Sequence, residues 1–546
     1  MSSKMKYGTV KSSGNIGDIM AMEENQAKFN RSASVGPGMT ASNLNPRERS
    51  RRALYVNLPF VSVYGMHFRE SKMAKSFSRL SMKDMGAMEE ESALLLESQI
   101  EEVVITTPLI AAVLAAVLLM FLMGFNTGVM NAMGEIVFPG HSVAQWSLAV
   151  SAFAIGGPFG AYLAGKVSNA KGRRAAINQN AWIFLIGGLM LSFAPSMNWL
   201  IPARVVIGVA SGFSTVIVPI YLGELAPPTM RGTLGTLTQF SMVIGILASN
   251  LFSFPLAQPG PWRWRVLFGI TPALALLQLS LSPFIFESPR WLLNRDAGSV
   301  EACMAIRKLR GLRTEEEVQV EIDHIVEAAR AQRLNYNSAH AAGAVLDLLT
   351  EPKMTLLVVS FAVLHVAQQL SGINAVFYYS NSFFDGVIDN PLVGTTMVGV
   401  VNVLFTYFAL KLMDRAGRVQ LVLLSAGGML ACTVVITLAL GGLVPNYAAL
   451  VGVMGYVAFF ELGLGPIPWL IVAEMFDAKY VATASSIASQ INWASNFVVG
   501  LCFPFMNAAL GMWSFVPFGM VLLFTVIFTL LYLPETAGRT AAEASR

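Results

Sequence analysis

Eight amide side chains lie inside long apolar stretches of the chain, where polar groups are uncommon. They are Asn126, Gln239, Gln368, Gln369, Asn374, Asn402, Asn492 and Asn496. An amide supplies hydrogen-bond donors and acceptors together, as each hydroxyl of a neutral polyhydroxyl molecule does. A carboxylate or phosphate ligand would instead call for buried Arg or Lys. Each amide alone could simply bond one helix to another, but the set favours a binding site for a neutral, hydroxyl-rich molecule.

Aromatic residues and one acid accompany the amides. Phe377, Phe460 and Trp469 offer rings on which the C–H face of a sugar stacks while its hydroxyls meet polar groups. Glu461 lies just before a run of Gly and Pro at residues 463–468, where proline removes backbone hydrogen bonds and permits a kink. Broken helices mark sites and gates in transporters. Two roles stay open for Glu461, a proton carrier and a structural hydrogen-bond acceptor.

The composition places these residues in a membrane. Hydrophobic residues make up 54% of the 546 residues and charged residues only 13%, whereas soluble proteins carry about 25% charge. This excludes a water-soluble enzyme or a nucleic-acid binder as a description of the whole chain. The three cysteines are too scattered for a metal site. With neither a phosphate-binding loop nor a nucleophile–base cluster in the sequence, we expect no cofactor, no bound nucleotide and no enzymatic activity.

Apolar runs of about 20 residues recur from Pro108 onward, and each is long enough to cross a bilayer. We predict about twelve transmembrane helices in an all-α membrane protein. The predicted division is a cytosolic, mostly disordered N-terminal tail at 1–104, a six-helix half at 105–290, an intracellular helical linker at 291–350, a second six-helix half at 351–540 and a short cytosolic tail at 541–546.

Charge placement predicts the orientation. Lys and Arg concentrate in the loops after the even-numbered spans, as at Arg173 and Arg418, and such loops face the cytosol. Both termini and the linker are therefore expected in the cytosol, and the protein is expected in the plasma membrane. Protein partners of the tail are unknown.

The two halves repeat each other. The triplet GFN at 124–126 recurs as GIN at 372–374, Gly172-Arg173 recurs as Gly417-Arg418, and Glu224 recurs as Glu474. These matches fall in order and at corresponding topological positions. Two six-helix halves repeated in parallel are the architecture of major-facilitator transporters, in which the substrate site lies between the halves.

Six ordered motifs carry a family resemblance. They are GFNTGVMNA (124–132), PIYLGELAPPTMRG (219–232), ESPRWLL (287–293), QQLSGINAVFYYS (368–380), FELGLGPIPWLIVAEMF (460–476) and LPETAGRT (533–540). They resemble the sugar-porter family of the major facilitator superfamily, most closely the facilitative glucose (hexose) transporters. The resemblance runs from about Pro108 to Thr540, and the N-terminal hundred residues have no counterpart in it.

The resemblance implies roles for individual residues. Sugar contacts are implied for Gln239, Gln368, Gln369, Asn374, Asn402, Glu461, Trp469, Asn492 and Asn496, and an apolar pocket lining for Ile246, Phe377 and Phe460. Tyr378 and Tyr379 match the outer gate. The inner gate is matched by Arg173, Arg174, Glu224, Arg231, Glu287, Arg290, Asp414, Arg415, Arg418 and Glu474.

Three positions depart from patterns in the family. Val419 and Val481 stand where relatives usually carry Arg, so we expect a weaker inner gate and a more populated inward-facing state. Proton-driven relatives carry Asp where this chain has Asn126, the coupling position. Because an amide does not titrate, we predict facilitated diffusion.

The triplet His365-Val366-Ala367 resembles relatives of broad specificity that accept fructose as well as glucose. The predicted function is therefore alternating-access uniport of D-glucose, with fructose and other hexoses as further candidate substrates. One alternative is a proton-coupled sugar or myo-inositol symporter. An alternative of another class is a sugar sensor that does not transport.

Overall fold

The structure of the chain is a computed structural model that describes residues 105–134, 136–227, 230–260, 262–336, 348, 350, 352–413, 415–476 and 480–536. All of them belong to one compact unit that spans Glu101–Arg546. Every regular element within these ranges is a helix. The tails predicted at 1–104 and 541–546, and most of the stretch 337–351, lie outside the described residues.

Six helices form the first half. They are α1 (Thr107–Gly128), α2 (Val143–Lys171), α3 (Arg173–Ser192), α4 (Met197–Leu225), α5 (Arg231–Leu256) and α6 (Arg263–Ser280). Local signals set their starts: the Thr106 hydroxyl accepts from the Leu109 N–H at the start of α1, and Ser142 forms a capping box with Gln145 at the start of α2. Three further helices follow: α7 (Pro289–Arg295), α8 (Val300–Arg310) and α9 (Glu315–Tyr336).

The second half repeats the pattern with two of its spans broken. Its helices are α10 (Pro352–Leu370), α11 (Ile373–Phe384), α12 (Pro391–Met413), α13 (Arg418–Leu440), α14 (Tyr447–Leu462), α15 (Ile467–Met475), α16 (Val481–Leu510) and α17 (Val516–Tyr532). With α10–α11 and α14–α15 each taken as one span, ten segments of the described residues are long and apolar enough to cross a membrane. The 18-residue α6 and the 17-residue α17 supply the remaining two predicted spans.

The two breaks have local causes. Between α10 and α11, Gly372 has φ +85°, a left-handed conformation that favours glycine, and a Cβ there would meet the Phe518 ring at 2.4 Å. Between α14 and α15, Pro466 and Pro468 lack the N–H groups that would continue the helix. Gly463 at this second break packs so closely on α13 that a Cβ would lie 2.3 Å from the Leu421 carbonyl oxygen.

The halves meet mainly along two helix pairs. Within the first half α2 packs on α4, α1 on α5 and α3 on α6, and within the second half α13 packs on α14 and α17. Between the halves α2 packs on α16 and α5 on α12. Gly157 permits the first of these contacts, because the Trp493 ring lies where its Cβ would be. This arrangement confirms the predicted fold class, with two six-helix halves and a helical linker.

The end of the bundle opposite α7–α9, termed the far side here, is closed by polar contacts between the halves. Asn131, which follows α1, donates to Ser380 Oγ at 2.8 Å and accepts from the Asn381 N–H at 2.9 Å. Ser380 Oγ lies 3.0 Å from Thr395 Oγ1, and Asn250 of α5 donates to the Thr395 carbonyl oxygen. All these side chains except that of Asn381 are buried.

Replacing Asn131 should therefore destabilise the far-side contact. Asn131→Ala leaves the Asn381 N–H without its partner and removes one of the two partners of the buried Ser380 hydroxyl, which costs about 1–3 kcal/mol. We expect a lower apparent melting temperature of the purified protein. Asn198→Ala is the matched control, because Asn198 makes an exposed bond to Gln145 within one half. Equal melting temperatures for the two variants would contradict this account of the far side.

Candidate functional site

A cavity of about 690 Å³ lies between the two halves. Its lining reaches the exposed Gly232 and Gly235 at the start of α5, and Met413 at the end of α12. These residues lie at the end of the bundle nearest α7–α9, termed the linker side here. The Asn131 contacts close the far side. Among the residues that the structure describes, the cavity therefore opens toward the linker side alone.

Every residue predicted to contact sugar or to line its pocket borders this cavity. They are Gln239, Ile246, Gln368, Gln369, Asn374, Phe377, Asn402, Phe460, Glu461, Trp469, Asn492 and Asn496. All but Gln239 and Ile246, both of α5, come from the second half. The structure thus brings the predicted set together, and its role in sugar contact stays a prediction.

Four of the amides form a directional series of hydrogen bonds, termed the amide relay here. Asn374 donates to Gln369 Oε1, and Gln369 donates to Asn492 Oδ1 at 3.0 Å. Asn492 donates to Gln368 Oε1 at 2.6 Å. Gln368 Nε2 then donates to the carbonyl oxygens of Leu464 and Gly465, at 2.7 Å each. The relay therefore joins α11, α16 and α10 to the break between α14 and α15.

Asn402 differs from the relay amides. It is fully buried on α12, and neither its amide nitrogen nor its amide oxygen has a hydrogen-bond partner. An unpaired buried amide is costly unless a ligand or water meets it. Because Asn402 borders the cavity, its donor and acceptor are both available to a molecule bound there.

The acid and the tryptophan occupy different surroundings. Glu461 accepts a hydrogen bond from Thr406 Oγ1 at 3.0 Å, and it is 3% exposed. The Trp469 side chain is 46% exposed and lies edge-to-face against the His365 ring, 4.9 Å away. His365 itself is buried with its Nδ1 2.9 Å from the Phe361 carbonyl oxygen. His365 supports a cavity residue from behind without belonging to the lining.

The coupling position lies outside the cavity lining. Asn126 is buried on α1, where its Nδ2 donates to the Leu122 carbonyl oxygen at 2.8 Å and its Oδ1 accepts from Thr271 at 3.2 Å. Arg204 donates to the Asn126 backbone carbonyl oxygen at 2.7 Å and lies over the Phe153 ring. The Asn126 amide thus donates one hydrogen bond and accepts one within the protein.

The two tyrosines of the predicted outer gate are buried at the far-side end of the cavity. Tyr378 borders the cavity and donates to Asn496 Oδ1 at 2.9 Å. Tyr379 lies outside the lining, donates to the Gly500 carbonyl oxygen at 2.7 Å and stacks on Phe503. Both bonds fix α11 against α16 on the closed side of the cavity.

The predicted inner-gate charges form two clusters, one in each half. In the first half, Arg173 binds both carboxylate oxygens of Glu224 at 2.7 Å. The backbone N–H groups of Arg173 and Arg174 donate to Glu287. Burial raises the pKa of Glu287, although backbone hydrogen bonds, including those from Ser288 and Arg173, act in the opposite direction.

The second cluster repeats the first at corresponding atoms. Arg418 binds Glu474 at 2.9 Å, and the N–H groups of Arg418 and Val419 donate to Glu535. Glycine precedes each arginine because Glu287 and Glu535 approach so closely that a Cβ would lie 2.3 Å and 2.4 Å from them. The ion pairs Arg173–Glu224 and Arg418–Glu474 each lie within one half.

The remaining inner-gate predictions are only partly described. Arg290 lies on α7 and Arg415 is exposed in the turn after α12. Asp414 lies outside the described residues, as does the side chain of Arg231. Val419 and Val481 are partly buried and pack against the apolar core. The gate function of these charges stays a prediction.

Sequence reasoning missed several lining residues of the first half. Thr127, Phe153 and Thr215 border the cavity, as do Met120 and Met123. Threonines and apolar residues are common throughout membrane helices, so these residue types do not indicate a cavity lining. The one available signal was position, since Thr127 directly follows Asn126 in the first motif.

Comparison with known proteins identifies the family. The family model described as sugar (and other) transporter matches residues 111–546. A facilitated glucose transporter, member 3 of solute carrier family 2 from Mus musculus, is 36% identical over 468 residues, which cover 81% of this chain and 93% of that protein. Member 4 from Homo sapiens is 37% identical over 470 residues, covering 81% of this chain and 91% of that protein.

Solved structures show the same fold. The xylose transporter XylE from E. coli, in a partially occluded inward-open conformation, matches with a TM-score of 0.68 and 26% identity, covering 80% of this chain and 100% of that chain. The proton:xylose symporter XylE bound to 6-bromo-6-deoxy-D-glucose matches with a TM-score of 0.64 and 25% identity, covering 80% and 98%. The chain belongs to the sugar transporter family of the major facilitator superfamily.

Proposed function

We propose that the protein is a facilitative hexose transporter that moves D-glucose down its gradient by alternating access. The observation that carries the proposal is the amide-rich cavity lining, in which Asn402 presents an unpaired donor and acceptor beside the amide relay. Amides replace the water that hydrates sugar hydroxyls, and Trp469 and Phe460 offer ring surface. The glucose transporters among its relatives support the choice of hexose. Family membership assigns the chain to transport rather than catalysis.

The proposed orientation places the linker side in the cytosol. Lys and Arg favour the cytosolic side of a membrane, and Arg173, Arg174 and Arg418 lie at the linker-side helix ends. The open cavity then corresponds to an inward-facing state, with both termini cytosolic and the plasma membrane as the site of action. The proposed halves are 105–290 and 351–540, joined by an intracellular linker at 291–350.

A proton-coupled symporter is the second candidate, because some structural relatives are proton:xylose symporters. Asn126 favours uniport: its amide is bonded to Leu122 and Thr271 and does not titrate. Glu461 is a buried acid bordering the cavity, and its bond to Thr406 fits a structural acceptor. A sensor that does not transport is the third candidate.

Uptake into proteoliposomes with and without a pH gradient tests uniport. We expect D-glucose to equilibrate without accumulation at any gradient. A symporter coupled one-to-one would accumulate sugar about tenfold at a gradient of one pH unit. Asn126→Asp is the informative variant, because it adds a titratable group beside Arg204 and should make uptake sensitive to the gradient. Accumulation or alkalinisation by the wild type would overturn uniport, and no uptake at all would favour a sensor.

Substrate breadth is tested by competition. We expect excess unlabelled fructose, mannose and galactose to reduce uptake of labelled D-glucose, because the cavity offers many amide donors and acceptors to differently placed hydroxyls. L-glucose is the control and should not compete. Failure of fructose to compete would restrict the proposal to a glucose-selective carrier.

The inner gate is tested by adding the two missing arginines. Val419→Arg with Val481→Arg adds cations at the linker-side starts of α13 and α16, and each new ion pair that closes the linker side is worth about 0.2–1 kcal/mol. Glucose efflux from loaded vesicles should slow by about twofold to fivefold. Val419→Met with Val481→Met controls for side-chain size. If glucose efflux from the arginine variant equals that from the wild type, the role of these positions is contradicted.

A further inference from the structure

Contacts within the protein use almost the full hydrogen-bonding capacity of Gln368. A glutamine side chain has two N–H donors and one carbonyl oxygen. Both donors go to the break between α14 and α15, to the carbonyl oxygens of Leu464 and Gly465. The oxygen accepts from Asn492. Gln368 therefore cannot donate to a ligand without giving up a bond to the break.

The Leu464 carbonyl oxygen depends on that bond for a local reason. In a continuous helix it would accept from the backbone N–H four residues later, but that residue is Pro468, which has none. Gln368 on α10 supplies the missing donor. The backbone N–H of Leu464 donates to Ser425 Oγ of α13 at 3.0 Å. Side chains of α10 and α13 thus hold the break from both directions.

Asn402 provides the contrast within the same cavity. Both of its amide atoms are unpaired, so a ligand can bind them without breaking any protein hydrogen bond. Gln368 and Asn402 thus differ in whether ligand binding breaks a hydrogen bond within the protein. Of these two, only Gln368 bonds to another helix, so only ligand contact at Gln368 changes such a bond.

We propose that Gln368 is a positioning residue that couples occupancy of the cavity to the mobility of α15. A sugar hydroxyl that takes an N–H of Gln368 releases a carbonyl oxygen at the break, and α15 is then free to move relative to α14. The relay carries the same effect from Asn492, whose donor orients the Gln368 oxygen. This inference rests on the proposed function, because it requires that a hexose binds the cavity.

Hydrogen–deuterium exchange of the full chain in nanodiscs tests the coupling. In the wild type, saturating D-glucose should speed exchange in residues 466–476. Gln368→Met keeps the side-chain length but has no donor and loses both bonds to the break, so exchange without sugar should already be raised by roughly fivefold or more, since one neutral hydrogen bond alone is worth about 1 kcal/mol. Sugar should then add little. Asn402→Leu is the matched control: its exchange without sugar should equal the wild type, and glucose should still raise it at higher concentration.

Further results distinguish the inference from the proposed function. Glucose uptake by the wild type with unchanged exchange in 466–476 would overturn the inference alone, as would Gln368→Met behaving like Asn402→Leu. Absence of glucose uptake by the wild type would overturn both. Should Gln368→Met fail to fold, Asn492→Leu removes the donor that orients Gln368, and raised exchange without sugar is again expected.

Discussion

Polar groups inside a membrane must find hydrogen bonds within the protein or in its ligand, and this constraint governs the whole structure. The cavity lining answers it with amides, most of which bond one another. The far side answers it with the Asn131 and Ser380 contacts between the halves. Asn402 is the exception that borders the cavity, since neither of its amide atoms has a partner. A hydroxyl-rich ligand supplies what this residue lacks.

Internal symmetry gives each half a rigid base on the linker side. Arg173 and Arg418 make equivalent bonds to Glu224 and Glu474, and in each half a second glutamate caps the start of the following helix. Because each cluster closes within its own half, the halves can separate without breaking these ion pairs. The symmetry fails at the cavity, where the second half supplies most of the amides. Rigid halves with an asymmetric lining suit a carrier in which one half holds the ligand and the other closes over it.

Much of the architecture was predictable from the sequence because the patterns that indicate it are pronounced. Long apolar runs predict spans, and amides such as Asn402 and Gln368 stand out within them. The motif resemblance placed twelve residues that the structure brings to one cavity. The partners of the amides were not predictable, because a bond such as Gln368 to Leu464 depends on the rotation and separation of helices far apart in sequence. For the same reason Asn126 was recognised by its position, whereas its bond to Thr271 was not.

The central claim is that the amide-lined cavity binds a hexose and that Asn402, whose amide atoms the protein leaves unpaired, is one of its contacts. A structure of the full-length chain with bound D-glucose tests it most directly. The account predicts that the sugar lies between the halves and that its hydroxyls bond to both amide atoms of Asn402. The sugar ring is expected to pack against Trp469 or Phe460. Sugar bound outside this cavity, or sugar within it that leaves Asn402 unpaired, would contradict the account.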